Sequence, residues 1–97
     1  MIRSFTDKAT EDIFNGIDSK VARKRCPANL KKVTIRKLDQ LDSVVQLLEL
    51  RIPPGNRFEA LHGDRVGQYS IRINDQVRIC FSWTEFGPID VEVTDYH

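Results

Sequence analysis

Between Gln68 and Thr94 apolar and polar side chains alternate with a period of two, and this pattern constrains the fold more than any other feature of the chain. Tyr69, Ile71 and Ile73 alternate with Gln68, Ser70 and Arg72. Val77, Ile79, Phe81 and Trp83 alternate with Arg78, Cys80, Ser82 and Thr84, and Ile89, Val91 and Val93 with Asp90, Glu92 and Thr94. Successive side chains of a strand point to opposite faces, so the pattern predicts three antiparallel strands with one greasy face and one wet face. Asn74-Asp75-Gln76 and Phe86-Gly87-Pro88 carry the residues that favour turns. Phe58 to Leu61 adds a shorter strand ahead of Gly63.

A greasy sheet face needs a cover, and the first half of the chain supplies it. Ile2 to Phe5 reads as an opening strand, and Thr6 or Asp7 can cap a helix from Lys8 to Phe14 that Asn15-Gly16 ends. Residues 17 to 27 read as a polar, basic connection closed by Pro27, a residue suited to the first turn of a helix. From Ala28 to Leu50 the positions Leu30, Thr34, Leu38, Leu41, Val45 and Leu48 recur every three or four residues, which marks one buried helical stripe. Arg51-Ile52-Pro53-Pro54-Gly55-Asn56 then stops the helix, because proline lacks an N–H donor. The predicted fold is α+β: two N-terminal helices packed on one face of a curved, mainly antiparallel sheet.

With 97 residues there is room for one domain, residues 1–97, and for one modest core. The composition, 40% hydrophobic and 30% charged, suits a folded globule and argues against disorder. No apolar run approaches the roughly 20 residues of a membrane-spanning helix. The opening MIRSFTDKATED turns acidic where a signal peptide would turn apolar, so the expected compartment is the cytoplasm, with no membrane partner. Cys26 and Cys80 stand far apart and outside any metal-ligand spacing; both are expected to be free thiols, Cys80 in a strand, with no metal and no cofactor.

A formal net charge of +1 conceals a local asymmetry. Lys20, Arg23, Lys24, Arg25, Lys31, Lys32, Arg36 and Lys37 are eight of the fifteen Lys and Arg residues, and no acid lies between the first and last of them. Such a block binds a polyanion through phosphate contacts, or is simply the solvated face of a helix.

If both hairpins keep their apolar residues on one face, three-residue turns pair Ile73 with Val77 and Glu85 with Ile89. Counting outwards sets Arg72 opposite Arg78, and Arg78 opposite Tyr96. Two like charges facing each other on a sheet repel, so the row invites an anion, and guanidinium groups match phosphate oxygens well. On this register Asp95, Tyr96 and His97 end beside Arg78. RNA cleavage needs a base for the ribose 2′-OH, a cation for the phosphorane and an acid for the leaving oxygen. His97, Asp95 and Arg78 can fill those roles without a metal. Glu59 and His62 flank Leu61 and are secondary candidates; they face the same concavity if their strand lies beside the next. Arg57 and Arg65 are candidates for substrate binding, or ordinary solvated groups of a loop.

The stretch RIPPGNRFEALHGDRVGQYSIRINDQVRICFSW, the ending VEVTDYH, the opening MIRSF and the Lys-, Leu- and Asp-rich helix before the prolines together resemble the HigB-like branch of the RelE/ParE toxin superfamily. The resemblance implies a RelE-like microbial RNase fold and a toxin of a type II toxin–antitoxin system. It implies a ribosome-dependent endonuclease that cleaves translated mRNA in the A site of the 70S ribosome, inhibits growth, and needs no metal. It also implies a helix-turn-helix, HigA-like antitoxin whose inhibitory complex binds operator DNA. By position Arg78 matches the charge-stabilising arginine, and Asp95, Tyr96 and His97 match the terminal catalytic group. Some relatives carry a histidine and a lysine where this chain has Glu59 and His62. The basic block would then face ribosomal RNA.

Two other readings stay open. A ParE-like toxin acting on DNA gyrase would use the same fold without catalytic residues, which leaves the Asp95-Tyr96-His97 group unexplained. A non-catalytic RNA-binding module would use the basic surface alone, but few stacking aromatics fall on the predicted wet face.

Overall fold

The alternating segment folds as the predicted meander. The structure, a computed structural model, describes residues 1–95. Its sheet has four antiparallel strands in the order β1 (Glu59–Ala60), β2 (Gln68–Arg72), β3 (Val77–Thr84) and β4 (Gly87–Asp95). In the first hairpin Ile73 N–H donates to the Val77 carbonyl at 2.9 Å and Arg72 faces Arg78, as the alternation predicts.

The second hairpin corrects the predicted register. Thr84 pairs with Gly87, so the turn is Glu85-Phe86 and the Gly87-Pro88 pair belongs to β4. The register then slips between Ser82, which faces Ile89, and Cys80, which faces Glu92. Two residues of β4, Asp90 and Val91, thus stand against Phe81 alone, and Asp90 takes the left-handed conformation, φ 52°. That is a β-bulge, and its extra residue reverses the side-chain phase on one strand. Two consequences follow. Ile89 shares a face with Ser82 and leaves the apolar side, and Arg78 pairs with Thr94 in place of Tyr96.

Three helices lie over the apolar face: α1 (Lys8–Phe14), α2 (Lys20–Arg25) and α3 (Lys31–Ser43). Helix α1 starts where the Asp7 carboxylate accepts the Thr10 N–H at 2.8 Å and ends at Asn15, as predicted. Helix α2 occupies what the sequence presents as a connection. Its Ser19 hydroxyl accepts the Ala22 N–H at 3.2 Å and donates to the buried Asp12 carboxylate at 2.7 Å, which caps α2 and ties it to α1 at once. The Ser19 bond first, the Lys8 ammonium next, hold the Asp12 carboxyl below the usual carboxylate range despite its burial.

Helix α3 stops at Ser43, well before the predicted Leu50. The Glu49 carboxylate accepts the N–H groups of Val45 and Gln46 at 2.7 and 2.6 Å, donors that a continuing helix would send to Leu41 and Asp42. Val44 is extended and Leu47–Arg51 forms a separate 3-10 turn, so Val45 and Leu48 are 82% and 58% exposed and do not belong to the buried stripe. The opening Ile2 to Phe5 is likewise no regular strand: it makes one parallel bridge, Phe5 to Val91, with Ser4 and Thr6 exchanging backbone bonds with Val91.

The core sits between the layers. Leu38 and Leu41 of α3, Ile71 of β2, Ile79 and Phe81 of β3, and Val91 and Val93 of β4 are fully buried. Burial of each such side chain contributes roughly 1.5–3 kcal/mol relative to exposure. Tyr69 stacks on Phe58, ring centroids 5.5 Å apart, and closes one end. Cys26 and Cys80 are both buried and free, as expected.

Candidate active site

The charged residues on the face of the sheet turned away from the helices fall on two rows fixed by strand register. One crosses all four strands: Glu59, Ser70, Cys80, Glu92. The other holds Arg72, Arg78 and Thr94. Arg78 leans across to the first row, with Nη1 3.3 Å from the Glu59 carboxylate and donating to the Ser70 hydroxyl at 3.3 Å. From the 3-10 turn Gly63–Arg65 a second guanidinium, that of Arg65, reaches Glu92 at 3.2 Å and Gln68 at 3.1 Å. The structure therefore brings Glu59, Arg65 and Arg78 together. Glu92, Ser70 and Cys80 join them without having been singled out by the sequence, because the alternation marks them as wet-face residues but only the bulged register places Glu92 level with Cys80.

The face is less open than its polar composition implies. Ser70 and Cys80 are fully buried. Burial pushes the Cys80 thiol up to about 11, while the guanidinium groups of Arg65 and Arg78 and the carboxylates of Glu92 and Glu59 act around it in smaller, opposing senses.

The facing pair Arg72 and Arg78 does not depend on an outside anion, which revises the sequence expectation. Each arginine has a carboxylate of the chain: Arg72 pairs with Asp75 in the hairpin turn, and Arg78 with Glu59. The backbone carbonyl of Arg72 also accepts from the Lys37 ammonium. Burial first, then Arg36 and Arg72, push the Lys37 ammonium below its usual value.

The remaining candidates are dispersed. Arg57 is exposed and left-handed, φ 44°, after the proline turn, and His62 is exposed beyond β1. Asp95 pairs with the buried Val77, so the register sets it on the helix-ward face, where it lines a cleft with Lys24 and Arg25. Its place in the alternation, two residues after the buried Val93, is the physical reason that it faces away from Arg78. Tyr96 and His97 lie outside the described residues. Of the basic block, Lys20, Arg23, Lys24, Lys31, Lys32 and Arg36 are exposed, whereas Arg25 and Lys37 are drawn into the fold. Among the described residues no cluster of His, Cys, Asp or Glu could hold a metal ion, and no helix is long and apolar enough to cross a membrane.

Residues 3–97 match the family model of the HigB-like toxin, the RelE-like toxin of the type II toxin–antitoxin system HigB. The chain belongs to that HigB-like toxin family. Toxin HigB-1 of Vibrio cholerae is 41% identical to this HigB-like chain over 85 residues, which are 88% of this chain and 86% of the relative. An uncharacterized protein of Haemophilus influenzae is 39% identical over 61% of this chain and 58% of its own length. The fold is also that of two solved structures. The YoeB–YefM complex of Staphylococcus aureus superposes with a TM-score of 0.61 at 14% identity, over 100% of this chain and 98% of the other. The YoeB/ParE toxin of Agrobacterium tumefaciens gives 0.55 at 17% identity, over 98% and 99%. The α+β fold of this HigB-like toxin is thus the RelE/ParE toxin fold.

Proposed function

We propose that this HigB-like toxin is an endoribonuclease that enters the A site of the 70S ribosome and cleaves translated mRNA by acid–base chemistry, arresting growth. One observation carries the reading: a 22% exposed arginine, Arg78, held on the open sheet face by a 52% exposed carboxylate, Glu59, and a buried hydroxyl, Ser70. A guanidinium so held is preorganised to stabilise charge that develops on a phosphorane. The carboxylate beside it is placed to take the proton of a ribose 2′-OH. The attacking 2′-oxygen forms a bond to phosphorus, the bond to the 5′-oxygen breaks, and that oxygen takes a proton from an acid. The products are a 2′,3′-cyclic phosphate and a 5′-hydroxyl.

Tyr96 and His97 are proposed as the terminal catalytic group on the strength of the family resemblance, with His97 the acid; Asp95, which the resemblance also includes, is on the helix-ward face and is given no step. Arg72, Arg57, Arg65 and His62 would bind RNA around the cut. The exposed Lys32 and Arg36 of α3 would face ribosomal RNA, to which positive charge binds without sequence preference. The partner is a helix-turn-helix, HigA-like antitoxin whose complex binds operator DNA, and the compartment is the cytoplasm.

The test is to map mRNA 5′ ends after brief induction of the toxin. Cuts within translated codons, absent with Arg78→Ala and with His97→Ala, are the expected result. Growth arrest without such cuts, accompanied by loss of gyrase supercoiling activity, would replace this reading with a gyrase-directed one.

A further inference from the structure

Between α1, α2 and the start of α3 runs a cleft of about 420 Å³ that the chemistry of the sheet face leaves unused. Its floor is apolar: Ile13, Ala22 and Cys26, all buried. Its rim carries Ile17, 48% exposed, and the exposed Ala28. Two cations, Arg23 and Lys31, stand on the same rim, and the exposed Lys20, Lys24 and Lys32 belong to the same two helices. Asp18 is the one acid lining the cleft, and it is engaged by Arg23, 3.6 Å from its carboxylate and donating at 2.7 Å to its carbonyl.

An apolar trough with a positive rim selects its occupant. Nucleic acid binds through phosphates and gains little from a greasy trough, whereas taking Ile17 and Ala28 out of water favours a partner with aliphatic side chains. An amphipathic segment that turns leucine- or isoleucine-like residues into the trough and acids toward Arg23 and Lys31 meets both demands. We propose that this cleft docks an acidic, amphipathic segment of the antitoxin. The basic block is then divided: its α2 half and Lys31 serve a protein partner, and the rest of α3 is left for RNA.

This inference rests on membership of a toxin–antitoxin family and does not depend on the nuclease mechanism. The cleft lies on the helix side of the sheet and Arg78 on the other, so the two can be lost separately. Ile17→Glu, Ala28→Glu and the double variant Arg23→Glu/Lys31→Glu change exposed positions, and thermal melts check each fold. Purified antitoxin is titrated onto each variant, and mRNA cleavage on ribosomes is measured without antitoxin. The expected result is antitoxin binding weakened roughly 30-fold, failure of co-expressed antitoxin to restore growth, and unchanged cleavage. If either single variant melts early, the charge-reversal pair carries the same readout. Wild-type antitoxin affinity in all variants would overturn the proposal, and so would intact antitoxin binding combined with lost cleavage, which would assign the cleft to ribosomal RNA.

Discussion

The Glu59 carboxylate stands 3.3 Å from the Arg78 guanidinium, reaching over β2 from the edge strand of the sheet. The pair is half open to solvent, and exposed ion pairs contribute only about 0–1 kcal/mol to stability. The contact therefore does more to hold Arg78 in place than to hold the fold together. Glu59→Gln keeps the shape and a hydrogen-bonding oxygen but removes the base. Single-turnover cleavage on programmed ribosomes should fall about 10²–10⁴-fold, the usual contribution of a general base, while the thermal midpoint stays within the change that about 1 kcal/mol brings. Full activity in Glu59→Gln would deprive that carboxylate of its proposed role.

Cys80 sits fully buried in the middle of the same face, its thiol raised to about 11 chiefly by burial. The thiolate is the reactive form, so Cys80 should resist iodoacetamide at pH 7–8 in the folded protein and react once the chain is unfolded in urea. The sign of the pH effect is fixed. An unfolded thiol ionises first as pH rises, the unfolded state then binds fewer protons than the folded one, and stability falls between roughly pH 9 and 11. Labelling of Cys80 at pH 7 as fast as a free thiol would show that the ion pairs above it do not shield it.

Much of this was legible in the residues themselves. Alternation fixed three strands and the facing arginines, and the Asp7 cap and Asn15-Gly16 stop fixed α1, because these signals are local. What stayed hidden depends on contacts between distant residues. Helix α2 needs Ser19 to find Asp12, and α3 ends early because Glu49 captures the donors of Val45 and Gln46. The second hairpin was the costliest omission: a two-residue turn and one extra residue on β4 set Thr94, and not Tyr96, beside Arg78.

Arg25 shows how a residue of the basic block is spent on architecture. Its Nη1 lies 2.8 Å from the Asp7 carboxylate and 2.8 Å from the Val93 carbonyl, joining α2 to the cap of α1 and to β4. Burial raises the Asp7 carboxyl, but hydrogen bonds from Thr10 and Arg25 outweigh it and hold the group below its ordinary value. Asp7→Ala should cost about 1–2 kcal/mol by removing the cap and the partner of Arg25. Because the folded group is the stronger acid, its contribution is complete above the unfolded value near 3.9 and is lost as pH falls through the lower, folded one. Chemical denaturation at pH 7 and at pH 3 should therefore show a wide gap between wild type and Asp7→Asn that narrows in acid; a gap independent of pH would assign the effect to capping alone.

Asp90 offers a direct test of the register. At φ 52° it occupies the left-handed region, its N–H donates to the Ser4 hydroxyl at 2.8 Å, and its carbonyl accepts from the Thr6 hydroxyl at 2.9 Å. The opening segment is thereby stitched to the bulge. Glycine adopts this conformation freely and a β-branched residue does not. Asp90→Gly should leave stability within about 1 kcal/mol of wild type, and Asp90→Val should lower it by about 1–3 kcal/mol. A chain relieving that strain by removing the bulge would shift the pairing of β4 beyond Asp90 by one residue and turn its side chains over. Cross-strand amide contacts measured by NMR on Asp90→Val would register such a slip as loss of the Arg78 to Thr94 pairing. Equal stability of the glycine and valine variants would mean that β4 does not carry the bulge that sets Thr94 beside Arg78.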